Sequence, residues 1–380
     1  MKHDSSVRTC ALAFALAIAA SAASAAQHTD PLSRAAGLVR VQAAQAIGVS
    51  VFATGLNNPR GLKFGPDGNL YVAEGGIGGS RSTTPSQCDQ VVPPVGPYLG
   101  SSTGGRISRI DSAGHRTTVT TNLPTSTTSP DLGSLVSGVA DVAFVDGRLY
   151  ALIAGGGCSH GVANRDNAIV RIGAGGAPSL VANLSAYQKT HPTAVIEEDD
   201  FEPDGTWYSM VARDGWLYAL EPNHGELVRV SAATGAIQRV IDVSARVGHA
   251  VPTALARRGG YWYIGNLGTF PIVDGSSRVW RLLSNPTRLQ VVAQGTTILG
   301  LAFDSRDNLY ILQNTTGNPG PTPGAGSIVR IRPGGGPETI VDGLTLPTAM
   351  TMGPDGNLYV SHVGFGPPLP GVGGVLRIDL

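Results

Sequence analysis

Short apolar runs alternate along the chain with clusters of glycine, proline, aspartate and asparagine. Beyond the leader, no segment sustains the 3.6-residue rhythm of an amphipathic helix. One phrase returns nearly intact: Phe64-Gly65-Pro66-Asp67-Gly68-Asn69-Leu70-Tyr71-Val72 and Met352-Gly353-Pro354-Asp355-Gly356-Asn357-Leu358-Tyr359-Val360. Weaker copies end on Tyr150, Tyr218, Tyr263 and Tyr310. The later copies settle about 45–50 residues apart, while insertions stretch the first two. In each unit an apolar run predicts a strand, and Pro-Asp-Gly-Asn predicts a turn, because proline presets φ and the other three tolerate turn geometry. The Leu-Tyr-Val run is the second strand of that hairpin. A third strand carries Arg109, Arg171, Arg229, Arg281, Arg330 and Arg377 in corresponding places, and a β-branched fourth strand follows a Gly-rich turn.

Four antiparallel strands in each of six units predict an all-β fold, a six-bladed β-propeller. The chain opens on a lone fourth-type strand, Val49–Thr54, and stops after a third-type strand, Val375–Leu380. Pairing them closes the ring and removes two exposed sheet edges. An arginine present in all six units reads as architecture, its guanidinium binding backbone carbonyls or acids of a neighbouring blade.

Residues 1–26 read as a secretory signal: Lys2 and Arg8 precede the apolar Ala11–Ala20, and Ala23-Ser24-Ala25 offers a cleavage point. The apolar run is too short for a membrane span of about 20 residues. The expected organisation is thus signal peptide 1–26, N-terminal arm 27–48 and propeller 49–380, in a secreted or periplasmic monomer. Export changes the reading of cysteine. Beyond Cys10 in the leader, Cys88 and Cys158 form an even pair, expected as a disulfide. Two cysteines are too few for a Cys-rich zinc site. Lys+Arg and Asp+Glu both number 27, and only 14% of residues are charged, which excludes the basic footprint of a nucleic-acid or anionic-membrane binder.

Candidate chemistry gathers at the end of each second strand, where the column reads Glu74, Ile153, Glu221, Asn266, Gln313 and His362. Such a column is expected to ring one mouth of the channel and offer oxygen and imidazole donors to a hard cation or a small polar ligand. Asn58 and Arg60, in the segment entering blade one, face the same mouth. Asp141, near the axis, reads either as a ligand or general base or as an acceptor for a neighbouring loop. The one dense charge run, Glu197–Asp204, suggests a Ca²⁺ site on Asp199, Asp200, Glu202 and Asp204, or else a solvated acidic loop; it lacks EF-hand spacing. Cys158-Ser159-His160 has no nucleophile-elbow context.

The phrases Asn58-Pro59-Arg60-Gly61-Leu62, Gly65-Pro66-Asp67-Gly68-Asn69-Leu70-Tyr71-Val72-Ala73-Glu74, Val251-Pro252-Thr253-Ala254, Tyr263-Ile264-Gly265-Asn266-Leu267 and Leu346-Pro347-Thr348-Ala349 follow one another in an order that resembles the exported ScyD/ScyE family of NHL-like propellers. The resemblance runs from about Val49 to Leu380 and implies an exported six-bladed propeller of no established activity. Asn266 stands where that family would have Glu, and the third-blade loop departs from its Asn-Pro-Asp-Gly-rich form. A more distant resemblance, to gluconolactonase-type propellers, implies a divalent cation at one mouth held by Glu, Asn and Asp; Glu74, Asn266 and Asp141 supply that residue set by analogy. Two functions are therefore expected: binding of a small molecule, glycan or protein at the mouth, or metal-dependent lactone hydrolysis with Glu74 or Asp141 activating water.

Overall fold

The computed structural model describes residues 47–196, 201–284 and 287–380; the expected signal peptide, nearly all of the arm, and Asp199 and Asp200 lie outside them. The described residues form six antiparallel sheets. Blade one comprises Pro59–Phe64, Leu70–Glu74, Leu99–Ile110 and Arg116–Thr127, with Val136–Ser137 as a fifth strand. Blade two is Val139–Val145, Arg148–Ile153, Ala168–Ile172 and Pro178–Asn183, and blade three Ser209–Arg213, Trp216–Glu221, Glu226–Ser231 and Ile237–Asp242. Blade four is Pro252–Arg258, Tyr261–Asn266, Ser277–Ser284 and Thr287–Gly295; blade five is Ile298–Phe303, Leu309–Gln313, Gly326–Ile331 and Pro337–Leu344. Blade six takes three strands from the C-terminal end, Ala349–Met352, Leu358–His362 and Gly373–Ile378. Its outer strand is Val49–Leu56, paired antiparallel in the register Val49↔Ile378 and Ala53↔Val375. The closure expected from the two incomplete ends is the closure observed.

Blades pack through the repeat's own tyrosines. Tyr71 meets Phe144 of blade two edge-on with centroids 5.0 Å apart, Tyr359 meets Phe64 of blade one at 4.9 Å, and Tyr263 meets Phe303 of blade five at 4.9 Å. Each ring thus packs on the next blade's innermost strand, Tyr71 and Tyr359 in the edge-to-face geometry that aromatic quadrupoles favour and Tyr263 tilted by 58°. The arginine column behaves otherwise than expected. In five blades its partner belongs to its own blade: Arg109 with Asp67, Arg229 with Gln238, Arg281 with Gln290, Arg330 with Glu338 and Arg377 with Asp355. The third strand lies outside the second, so a guanidinium there reaches the adjoining strands of its own sheet before it reaches another blade.

Nearer the axis, side chains of one blade hold backbone groups of the next. Ser209 Oγ donates to Thr253 O (2.5 Å), Thr253 Oγ1 to Ile298 O (2.5 Å), Asn314 Nδ2 to Pro347 O (2.9 Å) and Thr348 Oγ1 to Pro59 O (2.6 Å). Between blades one, two and three the link is Asp141. Its Oδ2 accepts from Met210 N at 2.8 Å and lies 3.6 Å from Lys63 Nζ. Burial pushes this carboxyl up, against the pull of Lys63 and of the two backbone N–H groups it accepts from. Of the two readings of Asp141, the neighbour-binding one matches these contacts.

Asp141 needs Gly61 beside it: a Cβ there would lie 2.0 Å from Asp141 Oδ1 and 2.8 Å from its Cα. Gly61→Ala is therefore expected to cost about 1–3 kcal/mol in urea unfolding, the usual penalty of overpacking. Gly336→Ala, which meets open space at an ordinary φ, is expected to stay within about 0.5 kcal/mol of the parent. Equal losses in the two variants would contradict this account of Gly61.

Candidate functional site

The polar column at the second-strand ends is buried and turned toward backbone. Glu74 Oε2 accepts from Asn57 N (2.6 Å), Glu221 Oε1 from Thr206 N (2.7 Å) and Gln313 Oε1 from Thr296 N (2.6 Å). Asn266 Nδ2 donates to Ala250 O (2.8 Å), and His362 Nε2 accepts from Thr345 N (3.3 Å). Every partner lies in the segment leading into the innermost strand of the same blade. These segments leave the sheet ladder and bring unpaired backbone groups into the interior, where an unmade hydrogen bond costs about 1–3 kcal/mol. The column satisfies them. In blade two, where Ile153 stands, backbone does the same work: Ala154 N donates to Gly138 O at 2.8 Å.

The channel itself is bridged. Tyr208 of blade three sends its hydroxyl to Thr348 O of blade six, the blade opposite, at 2.8 Å. Surrounding protein pushes the phenol up to about 12, with Arg60 pulling the other way and Asp141 adding to the rise. Arg60 also donates to Val136 O and lies over the Phe365 ring, 5.8 Å from its centroid. Asn58 takes a left-handed conformation, φ 50°, and its amide donates to Gly76 O at 3.1 Å. Asn58 and Arg60 thus fasten segments around the mouth.

Glu202 and Asp204 of the acidic run enter a buried network between blades one, two and three. Asp204 accepts from Ser159 N (2.8 Å), Ser159 Oγ (2.7 Å) and Lys189 Nζ (2.6 Å). Burial raises its carboxyl, yet Lys189 and Ser159 outweigh that and hold it below the usual range. Tyr98 donates to Glu202 Oε1 at 3.0 Å, His160 Nε2 lies 3.5 Å from Glu202 Oε2, and His160 Nδ1 is 2.9 Å from Ser126 Oγ. The disulfide Cys88–Cys158, with Cα atoms 6.2 Å apart, ties the blade-one insertion to the residue before Ser159. Ser126, Ser159, His160 and Lys189 carry no mark in the sequence beyond the placement of Ser159 and His160 next to a pairing cysteine.

Among the described residues no three His, Cys, Asp or Glu side chains converge as a cation site. Glu74 is held by Arg106 and Ser108 in blade one, Asn266 by Ala250 O and Arg278 N in blade four, and Asp141 by Met210 and Lys63 near blade two. These three do not fit the cation that the gluconolactonase resemblance implies. Of the calcium candidates, Glu202 and Asp204 are engaged by Tyr98 and Lys189, while Asp199 and Asp200 lie outside the described residues.

On the mouth face, blade one carries a cleft. Its third and fourth strands each run 12 residues, longer than those of other blades. Ile77–Arg81 bend back over Gly100–Thr103, paired through Arg81 and Gly100, and enclose a cleft of about 480 Å³. It is lined by Gly78, Gly79 and Gly100, by Ser80, Ser101, Ser102 and Thr103, by one cation, Arg81, and by the apolar Ile77.

No protein-family model and no curated protein matches this sequence. Solved structures do match the fold. A Thermus thermophilus protein provisionally described as an oxidoreductase (glucose dehydrogenase) shares 18% identity at a TM-score of 0.55, over 88% of this chain and 100% of its own. The PQQ-bound aldose sugar dehydrogenase of Streptomyces coelicolor shares 16% at 0.52, over 89% and 99%. A gluconolactonase of Xanthomonas campestris shares 12% at 0.51, over 90% and 94%. The likeness is one of fold: gluconolactonase-type six-bladed propellers are structural neighbours of this chain. No helix among the described residues is long and apolar enough to cross a membrane.

Two buried histidines give the site a pH dependence. Burial pushes His160 down to about 4, against the opposing pull of Asp204, and pushes His362 down to about 4. Both are neutral in the fold, whereas the unfolded imidazole takes up a proton near its ordinary 6.5. Their stabilisation is present above that value and is lost as pH falls from 6.5 toward 4. Between about pH 7 and pH 5 each is expected to account for about 2 kcal/mol of lost stability. Urea unfolding of His160→Gln/His362→Gln should show a flatter fall than the parent; comparison with the parent isolates the histidines from Asp141, whose shift is opposite. An unchanged slope would refute the assignment.

Proposed function

We propose that the chain is an exported binding propeller that takes a small molecule, glycan or protein at its mouth face, and that a neutral polar ligand of the sugar class fits this face best. The observation that carries the reading is the blade-one cleft. Its hydroxyls both donate and accept, and its glycines carry no side chain that would hold a ligand off, although Gly78 N and both backbone groups of Gly100 already bond within the blade. It belongs to one blade, so it is not part of the repeating frame, and the Cys88–Cys158 bridge fastens the insertion that forms one wall. The leader and the even cysteine pair support export.

The runner-up, a metal-dependent lactonase, draws on the fold shared with the gluconolactonase. Against it stand the prior engagements of Glu74, Asn266 and Asp141.

The test is glycan-array screening of the secreted mature protein, followed by calorimetry on the strongest sugar. Ser101→Trp, which fills the cleft, is expected to abolish binding, and Arg81→Ala to weaken it by about tenfold, the loss of one charge-assisted hydrogen bond. Both should leave the melting temperature near the parent's. Sugar binding undiminished in Ser101→Trp, or no sugar bound at all, would overturn the reading. Turnover of lactones with added cations, abolished by Glu74→Gln or Asp141→Asn in folded protein, would establish the runner-up instead.

A further inference from the structure

We propose that the groove between blades one and two, on the face opposite the mouth, binds a small oxyanion (phosphate, sulfate or carboxylate) through Arg148 and Arg171. This site is separate from the cleft and independent of the sugar reading. The groove has a volume of about 640 Å³ and carries three guanidiniums, Arg109, Arg148 and Arg171, against one carboxylate, Asp67.

Blade two differs from the other blades in its column arginine. Five of the six column arginines have an acceptor in their own blade. Among the described residues Arg171 has none. Arg229, Arg281 and Arg330 face Gln238, Gln290 and Glu338 on the fourth strand, whereas Arg171 faces Ser179. Ser179 is too short to reach a guanidinium, and its hydroxyl is turned to Arg171 O. Arg109 and Arg377, which face the short Thr117 and Ser50, pair instead with the turn aspartates Asp67 and Asp355, and Arg171 has neither kind of partner.

Blade two departs from the repeat a second time. Two residues before the anchor tyrosine, blades three and four place Trp216 and Tyr261, whose rings lie 4.5 and 4.8 Å from the column guanidiniums Arg229 and Arg281. Blades one, five and six place Asn69, Asn308 and Asn357 there. Blade two places Arg148. A second cation therefore stands where every other blade has a ring or an amide, and it lines the same groove as Arg171. Arg109 is already paired with Asp67 at 3.1 Å, so the acid that lines the groove is engaged.

Like charges crowded on one surface raise each other's energy, and an anion between them reverses the sign of that interaction. Planar guanidinium forks match the oxygens of phosphate, sulfate and carboxylate. The edge-to-face pair Tyr71 and Phe144, 5.0 Å apart, supplies an apolar wall beside the charges. The favoured ligand thus joins an oxyanion to a flat apolar group.

The experiment is calorimetric titration of the secreted protein with phenyl phosphate, inorganic phosphate and the neutral phenyl glucoside at low salt. Saturable binding of phenyl phosphate, tighter than that of inorganic phosphate, is expected, with the glucoside at least about tenfold weaker. Arg148→Gln/Arg171→Gln should weaken phenyl phosphate by about tenfold or more with an unchanged melt, since both side chains are exposed. Arg213→Gln, an exposed arginine of blade three paired with Asp214, should bind as the parent does. The proposal is overturned if phenyl phosphate does not saturate, if the double variant binds it undiminished, if the glucoside binds equally well, or if Arg213→Gln loses as much affinity.

Discussion

The structure rests on hydrogen bonds by which five of the six blades grip the backbone of the next, blades one and two being joined by the Lys63–Asp141 ion pair. A propeller blade is a twisted sheet with two apolar faces, and it is stable only between two neighbours. Hydrophobic packing supplies attraction but no fixed spacing. The hydroxyls of Ser209, Thr253 and Thr348, the amide of Asn314 and the carboxylate of Asp141 supply the spacing, because each reaches a particular backbone atom of the adjacent blade. A backbone carbonyl is present whatever its own side chain, so the grip tolerates sequence drift in the partner. The donors must be short, since the innermost strands crowd the axis; Gly61 beside Asp141 marks the tightest of these approaches described above.

The periodic features therefore belong to the frame. Anchor tyrosines pack into the following blade, column arginines pair within their own sheets, and strand-end polar groups secure the segments entering the inner strands. Specific chemistry then falls to what breaks the period: the blade-one insertion with its cleft and disulfide, the network around His160, and the unpaired cations of blade two. Repetition marks what every blade needs, and irregularity marks what this molecule has added.

The fold was legible because each unit repeats the same turn and strand signals, and because the two chain ends each lack what the other provides. The disulfide was legible from an even count in an exported chain. The site was much less so. Glu74, Glu221, Asn266, Gln313 and His362 stand out as a polar column, but each also binds a backbone group some 15–17 residues back, which carries no side-chain signature. Glu202 and Asp204 look like free carboxylates in sequence, and the groups that engage them, Tyr98, Ser159 and Lys189, come from three separate segments. Arg171 reads as one of six equals until the cross-strand register shows Ser179 opposite it.

Ring closure also dictates an order of events. Thr348 and Ser361 bind the carbonyls of Pro59 and Arg60, residues 289 and 301 positions away along the chain. Together with the pairing of Val49 and Ile378, 329 positions apart, such contacts bear a large loop-closure entropy and are expected to form last and slowly. Until they do, five blades and the three C-terminal strands of the sixth form an open arc, with the strand Val49–Leu56 unpaired at one end and the edge of Gly373–Ile378 bare at the other. The slow step of folding is therefore also the interval in which one arc can join another, and the fidelity of this propeller depends on how quickly its two ends find each other.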